Sequence, residues 1–583
     1  MNILKSIRKK SWGLILLCVA LVAFQVWLDL KSPDYMQEIT LLVTTAGGKM
    51  SDIMLAGGKM LLCCLGSLLA AVIVAVIASR ISSDFSADLR ERIYDKVQSF
   101  SMREMGQFST SSLITRSTND ITQVQMLIVM GLQVMLRAPI MAVWAITKIA
   151  GSNSSWTLST GICVAVMLVV VIFCLVMATP KFKSLQKLTD DLNRVTRENL
   201  TGIRVVRAYN AEDYQENKFD GVNNILTNTH LFASRVMAFM MPSIQLTMQG
   251  SALAIYWIGA YLINNADMTE KMPLFAEMAV FTQYSMQVIM SFMMLVMIFM
   301  ILPRAFVSAR RINEVLNTES SIVDGTKDIS DTDKRGEIEF RNVCFRYSDS
   351  ENDVLHNISF SAHKGETVAI IGATGCGKST LVNLIPRFYD PTEGEVLVDG
   401  VNIRECTEYS LRNKIGYVSQ KAVLFSGTIN SNVGYGDNGK KITADDIAEA
   451  VNTAQASEFV DSLSEGTEAY VAQGGTNFSG GQKQRLSIAR AVARNAEIFI
   501  FDDSFSALDY ATDRKLRTVL KDTCRDATKI IVAQRIGTIR DADRIIVLED
   551  GKIAGLGTHD ELMQNCEVYQ QIAYSQLSKE EAV

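Results

Sequence analysis

The chain has 583 residues, enough for several domains, and its 57 basic and 62 acidic residues leave a formal net charge of −5. That balance gives no reason to expect a nucleic-acid partner. The ten cysteines and four histidines are scattered without zinc-type spacing, and the cysteines read as free thiols in a reducing compartment.

The averages hide two unlike halves. Up to about Ile301 the sequence is dominated by long apolar stretches; after Gly336 it is charged and reads as a soluble α/β domain. A membrane-spanning helix needs about 20 mostly apolar residues. Six stretches qualify: about Ser11–Leu30, Ala56–Ala78, Val124–Ala150, Trp156–Thr179, Ala233–Ile263 and Leu274–Ile301. The first follows Lys5, Arg8, Lys9 and Lys10 like a signal peptide, but its apolar run is long and lacks a clear cleavage site, so it reads as a retained anchor.

Basic residues set the expected orientation. Arg80, Arg90, Arg92, Lys96, Arg103 and Arg116 follow the second stretch, and Lys181, Lys183, Lys187, Arg194, Arg197, Arg204, Arg207 and Lys218 follow the fourth. The N-terminus, both long loops and the soluble half are therefore expected in the cytoplasm. Ser83–Gln98 and Leu185–Phe219 are rich in helix formers and lack proline, so they are expected to carry the spans on as stiff helices.

Polar residues inside spans usually face a bundle or a cavity. Arg137, Gln245, Gln249, Glu277, Gln283 and Gln287 are the candidates. The last span also carries Met286, Met290, Met293, Met294, Met297 and Met300, and methionine suits promiscuous surfaces. A water-accessible cavity for amphipathic compounds is one expectation; lipid-facing or interhelical packing is the other.

Asn317–Lys334 is polar and reads as a linker, within a division into a membrane domain (1–316), a linker (317–335) and a soluble domain (336–583). Glu337–Val343 alternates as a strand does, and Tyr347 follows it. An aromatic ring there could stack on a purine or simply pack. Next comes the strand-like run Thr367–Ile371. After it stand Gly372, Ala373, Thr374, Gly375, Cys376, Gly377, Lys378 and Ser379, then Thr380 and a helix-forming run. This is the full P-loop spacing in its strand-to-helix setting. The glycines let successive N–H groups turn inward as an anion cradle; Lys378 would reach the β- and γ-phosphates and the Ser379 hydroxyl would ligate Mg2+. Cys376 lies inside this loop, where a small residue is needed.

Gln420, after the strand-like Ile415–Val418, is a candidate ligand for the metal or the attacking water. Phe478 and Ser479-Gly480-Gly481-Gln482 stand just before the helical run Lys483–Arg494 and make a second phosphate-binding surface. One nucleotide hardly needs two such surfaces from one domain, so this one is expected to serve a nucleotide held by another subunit. The buried strand Ile498–Phe501 ends in Asp502, placed to hold Mg2+, and Asp503.

On these motifs, residues from about Gly336 to Ala573 resemble the nucleotide-binding domain of ABC transporters. The P-loop is Gly372–Ser379, the Q-loop glutamine Gln420, the signature Phe478–Gln482 and the D-loop Ser506-Ala507-Leu508-Asp509. The six preceding stretches look like the membrane half of a type IV exporter. The resemblance implies a multidomain membrane protein: a six-helix α-helical transmembrane domain followed by an α/β P-loop ATPase domain. It implies ATP and Mg2+, adenine stacking by Tyr347, and coupling segments near Ser109–Asp120 and Ala208–Glu212. It also implies a dimer with two nucleotides between P-loop and signature.

Two departures matter. The family's usual catalytic glutamate is Asp503 here, and its switch histidine is Gln534. Asp503 draws the carboxylate back by about 1.5 Å, one carbon–carbon bond, and displacing a catalytic group by about 1 Å can cost about 10²-fold. Gln534 donates a hydrogen bond but carries no imidazolium charge. The pattern resembles the degenerate-site subunit of heterodimeric exporters, with a non-identical partner carrying the glutamate and histidine. The expected activity is ATP-driven export of an amphipathic or hydrophobic compound across the cell membrane, amid lipid. A lipid or peptide exporter and a nucleotide-switched regulator that moves nothing are the alternatives. A soluble ATPase acting on nucleic acid is disfavoured by the six spans. The absence of a peptidase-like N-terminal segment lowers the odds of a peptide-processing exporter.

Overall fold

The computed structural model describes residues 9–44, 49–151, 153–267, 270–330, 332, 334–437, 439 and 442–576. The side chains of Lys9, Lys10, Lys183 and residues 299–301 also lie outside that description, as do Lys5 and Arg8, so the expectations placed on these residues and on Met300 fall there too. The chain divides into two compact units, one of Met1–Val97 with Ser111–Asn317 and one of Gln98–Thr110 with Thr318–Val583.

The first unit is helical. Its elements are α1 (Lys9–Thr44) and α2 (Met50–Gln98), then, after α3 (Met102–Gln107) of the other unit, α4 (Thr110–Ser117), α5 (Asn119–Met130), α6 (Arg137–Ala150), α7 (Ser154–Thr201), α8 (Ile203–Ala208), α9 (Glu212–Asn265) and α10 (Lys271–Asn317). Among the described residues six helical stretches are long and apolar enough to cross a membrane, and each contains one span read from the sequence. The third is interrupted between α5 and α6 by a π-helical turn, Gly131–Met135. In hydrocarbon every backbone group must bond within the chain, which is why these runs close as helices. On α2 the leucines Leu61, Leu62, Leu65, Leu68 and Leu69 are exposed, the reverse of a soluble core helix and suited to lipid tails.

Inside the bundle Trp156 is fully buried against Phe281, their ring centroids 5.4 Å apart. Ser285 sits between the hydroxyls of Thr160, at 3.1 Å, and Ser251, at 3.0 Å, so three buried hydroxyls satisfy one another across three helices. Ser83–Gln98 continues α2 unbroken, as expected. Leu185–Phe219 does not form one helix. Gly202 caps α7, donating its N–H to the Glu198 carbonyl at 2.9 Å, and Asn210 turns the chain at φ +49 before α9 begins. Asparagine tolerates the left-handed conformation better than most residues, so the turn at Asn210 breaks the run despite the helix formers around it.

The second unit carries β1 (Ile338–Phe345), β2 (Leu355–Ala362), β3 (Thr367–Gly372), β4 (Glu393–Val398), β5 (Val401–Asn402), β6 (Ile415–Val418), β7 (Gly427–Thr428), β8 (Tyr470–Val471), β9 (Ile498–Asp502), β10 (Thr528–Val532), β11 (Arg544–Glu549) and β12 (Lys552–Gly557). The main sheet runs β12-β11-β3-β10-β9-β6, parallel except for β12. Alternation with period two explains why it is covered on both faces. Val368, Ile370, Ile498, Ile500, Ile530 and Val532 face one core, shared with the antiparallel sheet β2-β1-β4-β5. Ala369, Ile371, Phe499, Phe501 and Ile531 face the other, against helices that include Gly480–Ala493.

The polar stretch after Asn317 is docked on the soluble unit. Gly325 donates its N–H to the Cys406 carbonyl at 3.1 Å, Lys327 bridges to Cys406, and Ile329 is buried. Its composition reads as a linker because the backbone, which composition does not reveal, makes these bonds. The segment Gln98–Thr110 also belongs to this unit. Ser101 and Glu104 form a capping box on α3, and the Ser101 hydroxyl lies 3.1 Å from that of Ser321. The coupling segment expected near Ser109–Asp120 overlaps this piece only at its start; the rest belongs to the helical unit.

Candidate nucleotide site

The parallel strands deliver their C-terminal ends to one edge, where ligands bind in open α/β sheets. β3 lies between β11 and β10, and the loop Ala373–Gly377 leaves its end to enter α11 (Lys378–Leu384). The loop needs its glycines. Gly377 has φ +100, and a Cβ there would stand 2.9 Å from Leu355 Cδ2; a Cβ on Gly372 would stand 2.1 Å from the Leu548 carbonyl oxygen. The Lys378 ammonium is drawn inward, donating to the carbonyls of Gly372 and Ala373 at 2.8 Å each, with Cys376 Sγ 3.8 Å away.

The Ser379 hydroxyl donates to Asp502 Oδ1 at 2.9 Å. Burial pushes the Asp502 carboxyl up from its ordinary value; the Ser379 hydrogen bond and the Lys378 charge oppose this, and neighbouring Asp503 reinforces it. Asp503 follows at φ +47, its N–H bonded to the Val532 carbonyl at 3.1 Å. Its Oδ2 accepts two side-chain amides, Gln534 Nε2 at 2.7 Å and Gln420 Nε2 at 3.2 Å. Three residues read separately from the sequence thus meet at one carboxylate oxygen.

Tyr347 is joined to the same loop: its hydroxyl lies 3.0 Å from Thr380 Oγ1. Phe345 and Tyr389 meet it edge-on, with centroids 4.9 and 5.4 Å away. Beside these rings opens a cleft of about 710 Å3, lined also by Met102, Arg103, Gln107 and Asp349. Sequence reasoning missed Tyr389 and the α3 residues, because nothing local marks an aromatic 42 positions past Tyr347 as its neighbour.

Ser479-Gly480-Gly481-Gln482 lies at the start of the helix Gly480–Ala493, so the two glycines form its first turn and do not precede it. Ser479 caps the Gln482 N–H, and the Gln482 side chain returns to the Ser479 N–H at 2.9 Å. Gly481 sits against the D-loop: a Cβ there would be 3.3 Å from the Ala507 carbonyl oxygen. Among the described residues no hydrogen bond joins this turn to the loop Gly372–Thr380.

In the helical unit Arg137 pairs with Asp29 at 2.9 Å, and Gln287 Nε2 reaches the Asp29 carbonyl at 3.5 Å. Asp34 binds Lys148 at 2.9 Å and the Tyr284 hydroxyl at 2.5 Å. Neither aspartate was singled out in the sequence, since each lies at the end of an apolar run. Gln245, Gln249 and Gln283 lie on the exposed surface of the unit, and Glu277 is half-buried.

Residues 14–292 match the family described as ABC transporter transmembrane region, and residues 355–506 match the family described as ABC transporter. An uncharacterised ABC transporter ATP-binding protein of Mycobacterium tuberculosis (strain ATCC 25618 / H37Rv) is 39% identical over 91% of this chain and 90% of its own length. The ATP-dependent lipid A-core flippase of Pseudomonas fluorescens (strain Pf0-1) is 31% identical over 83% of this chain and 79% of its own. A bacterial Atm1-family ABC exporter solved with ATP bound superposes with a TM-score of 0.79 at 23% identity, covering 98% of this chain and all of that one. The chain belongs to the ABC transporter family, with the membrane region fused ahead of the ATPase domain. It is a multi-pass membrane protein with an exporter fold, and its ATPase domain implies ATP binding.

Proposed function

We propose that this chain is one half of a heterodimeric exporter whose own P-loop site holds ATP and splits it slowly. The observation that carries the reading is the pair of amides on Asp503. Where a glutamate and an imidazole would activate water, a shorter carboxylate has two N–H donors on one oxygen, the nearer at 2.7 Å. An oxygen so engaged is a poor acceptor for the proton of an attacking water. The exposed turn Ser479–Gln482 keeps its cap and first-turn N–H groups, and it would complete a competent site on a non-identical partner carrying the glutamate and histidine.

The Ser379 hydroxyl and the Asp502 carboxylate are hard oxygen donors 2.9 Å apart, a donor set that fits Mg2+, with the Gln420 amide oxygen as a third candidate. Bound Mg2+ would neutralise charge on the β- and γ-phosphates. Lys378 would exchange its two carbonyl partners for phosphate oxygens, and Tyr347 would stack on the base. On the basic-residue bias, the N-terminus and the ATPase domain lie in the cytoplasm. The transported compound is amphipathic or hydrophobic; a lipid is the second reading, favoured by the flippase relative.

Purification decides the partner question. Expressed alone, the chain should bind ATP with little turnover, and turnover coupled to transport should appear only with a second half-transporter. Brisk, substrate-stimulated ATPase activity from a homodimer would overturn the proposal.

A further inference from the structure

The short helix Ile536–Ile539 follows β10 and begins two residues after Gln534. A helix start leaves backbone N–H groups unpaired, and a serine, threonine or aspartate usually caps them. Here the cap position is Arg535, which makes no side-chain cap bond. The missing acceptor comes from the far end of the chain. Gln576 Oε1 accepts the Ile536 N–H at 2.9 Å, while Gln576 Nε2 donates to the Gln534 carbonyl at 2.7 Å. A side-chain amide carries the same donor and acceptor as a peptide group, so it pairs with residues 534 and 536 as a neighbouring strand would.

Gln576 ends the helix Glu567–Gln576, which is itself fixed. Tyr569 and Ala573 are fully buried, and the Tyr569 hydroxyl lies 2.7 Å from His559 Nδ1. The clasp therefore ties the backbone of Gln534 to a packed body. From that backbone the Gln534 amide reaches Asp503 Oδ2 at 2.7 Å. Gln576, Gln534 and Asp503 form one chain of hydrogen bonds from the C-terminal helix to the nucleotide site.

We infer that Gln576 is a positioning residue for the ATP site, acting through Gln534. It fixes where the Gln534 amide stands, and hence how the phosphate end of the site is closed. The inference rests on the reading of Gln534 as the residue at the switch-histidine position, bonded to Asp503 in the nucleotide site, and on nothing about the partner.

The test is a double-substitution cycle on the full chain in lipid nanodiscs. The probe is a fluorescent, non-hydrolysable ATP analogue with Mg2+, and its release rate is read for wild type, Gln576→Met, Gln534→Ala and the pair. Methionine keeps the bulk and helix preference of glutamine without its hydrogen bonds. Gln576→Met should speed release about fivefold in the native background and less than twofold once Gln534 is alanine. Its effect on the melting temperature should be the same in both backgrounds, since helix docking does not depend on the Gln534 side chain. Equal acceleration in both backgrounds would reduce Gln576 to a structural residue, and no acceleration in the native background would remove its role. Because the analogue is not split, a wrong reading of slow hydrolysis would show only as ADP formed from ATP, leaving the cycle intact.

Discussion

Gln534 donates its side-chain amide to the Asp503 carboxylate across 2.7 Å, and the main chain holds the two together, since Asp503 N–H bonds Val532 at the end of the strand that leads to Gln534. Restoring the pair should restore chemistry. Asp503→Glu with Gln534→His should raise single-turnover hydrolysis at this site by about 10²-fold, with each substitution alone giving less. An unchanged rate in the double variant would place the defect elsewhere.

Ser379, half-buried, shares a hydrogen bond with the buried Asp502. Ser379→Ala leaves the carboxylate without that donor and removes one candidate metal ligand. The soluble unit should lose about 1–3 kcal/mol of stability, and the Mg2+ concentration needed for half-maximal nucleotide binding should rise. A denaturant series and a Mg2+ titration read the two effects separately.

The Asp29–Arg137 pair ties α1 to α6 and is only half-buried. Polar pairs in membranes are usually worth about 1 kcal/mol. Asp29→Asn should lower stability in detergent by about that amount. Asp29→Asn with Arg137→Gln should cost less than the sum of the single changes, because neither charge is then left alone. Strict additivity would mean that the pair contributes no coupling.

Glu366, the residue before β3, is tied to the first residue of β11, accepting from Arg544 Nη2 at 2.8 Å. Burial alone would raise its carboxyl; the Arg544 guanidinium and the His363 N–H outweigh this and hold it below the ordinary range. A carboxylate lowered in the folded state adds stability above its unfolded pKa of about 4.3 and loses it as pH falls through the lowered value. Stability should therefore drop on acidification below about pH 5, and Glu366→Gln should flatten that drop. Unfolding midpoints at neutral and acid pH, taken for both proteins, check it.

What was legible in the sequence was periodic or local. The unbroken apolar run Ile498, Phe499, Ile500 and Phe501 marks a strand buried on both faces, and the run from Gly372 to Ser379 marks the loop at the end of β3, two strands away in the same sheet. The six apolar stretches announce helices because a run of about 20 apolar residues satisfies its own backbone in hydrocarbon as a helix. What stayed hidden depends on partners far away in the chain. Arg137 reads as an expensive intramembrane charge, but nothing local marks Asp29, 108 residues earlier, as its counterion. The breaks at Gly202 and Asn210 were lost among helix formers, and the docking of Gly325 and Lys327 on Glu405 and Cys406 is a matter of backbone bonds that a polar composition conceals. Gln576 carries no signal at all, since a glutamine near a chain end is ordinary until its partner backbone is known.

The proposed property of this chain is that it holds ATP and splits it slowly. Its most direct measurement is the fate of ATP bound at this chain's own P-loop, in the assembled transporter with the partner's P-loop lysine replaced, followed over a single turnover. The nucleotide should be recovered almost entirely as ATP after many turnover times of the intact complex. Recovery as ADP at the rate of the intact complex would contradict it.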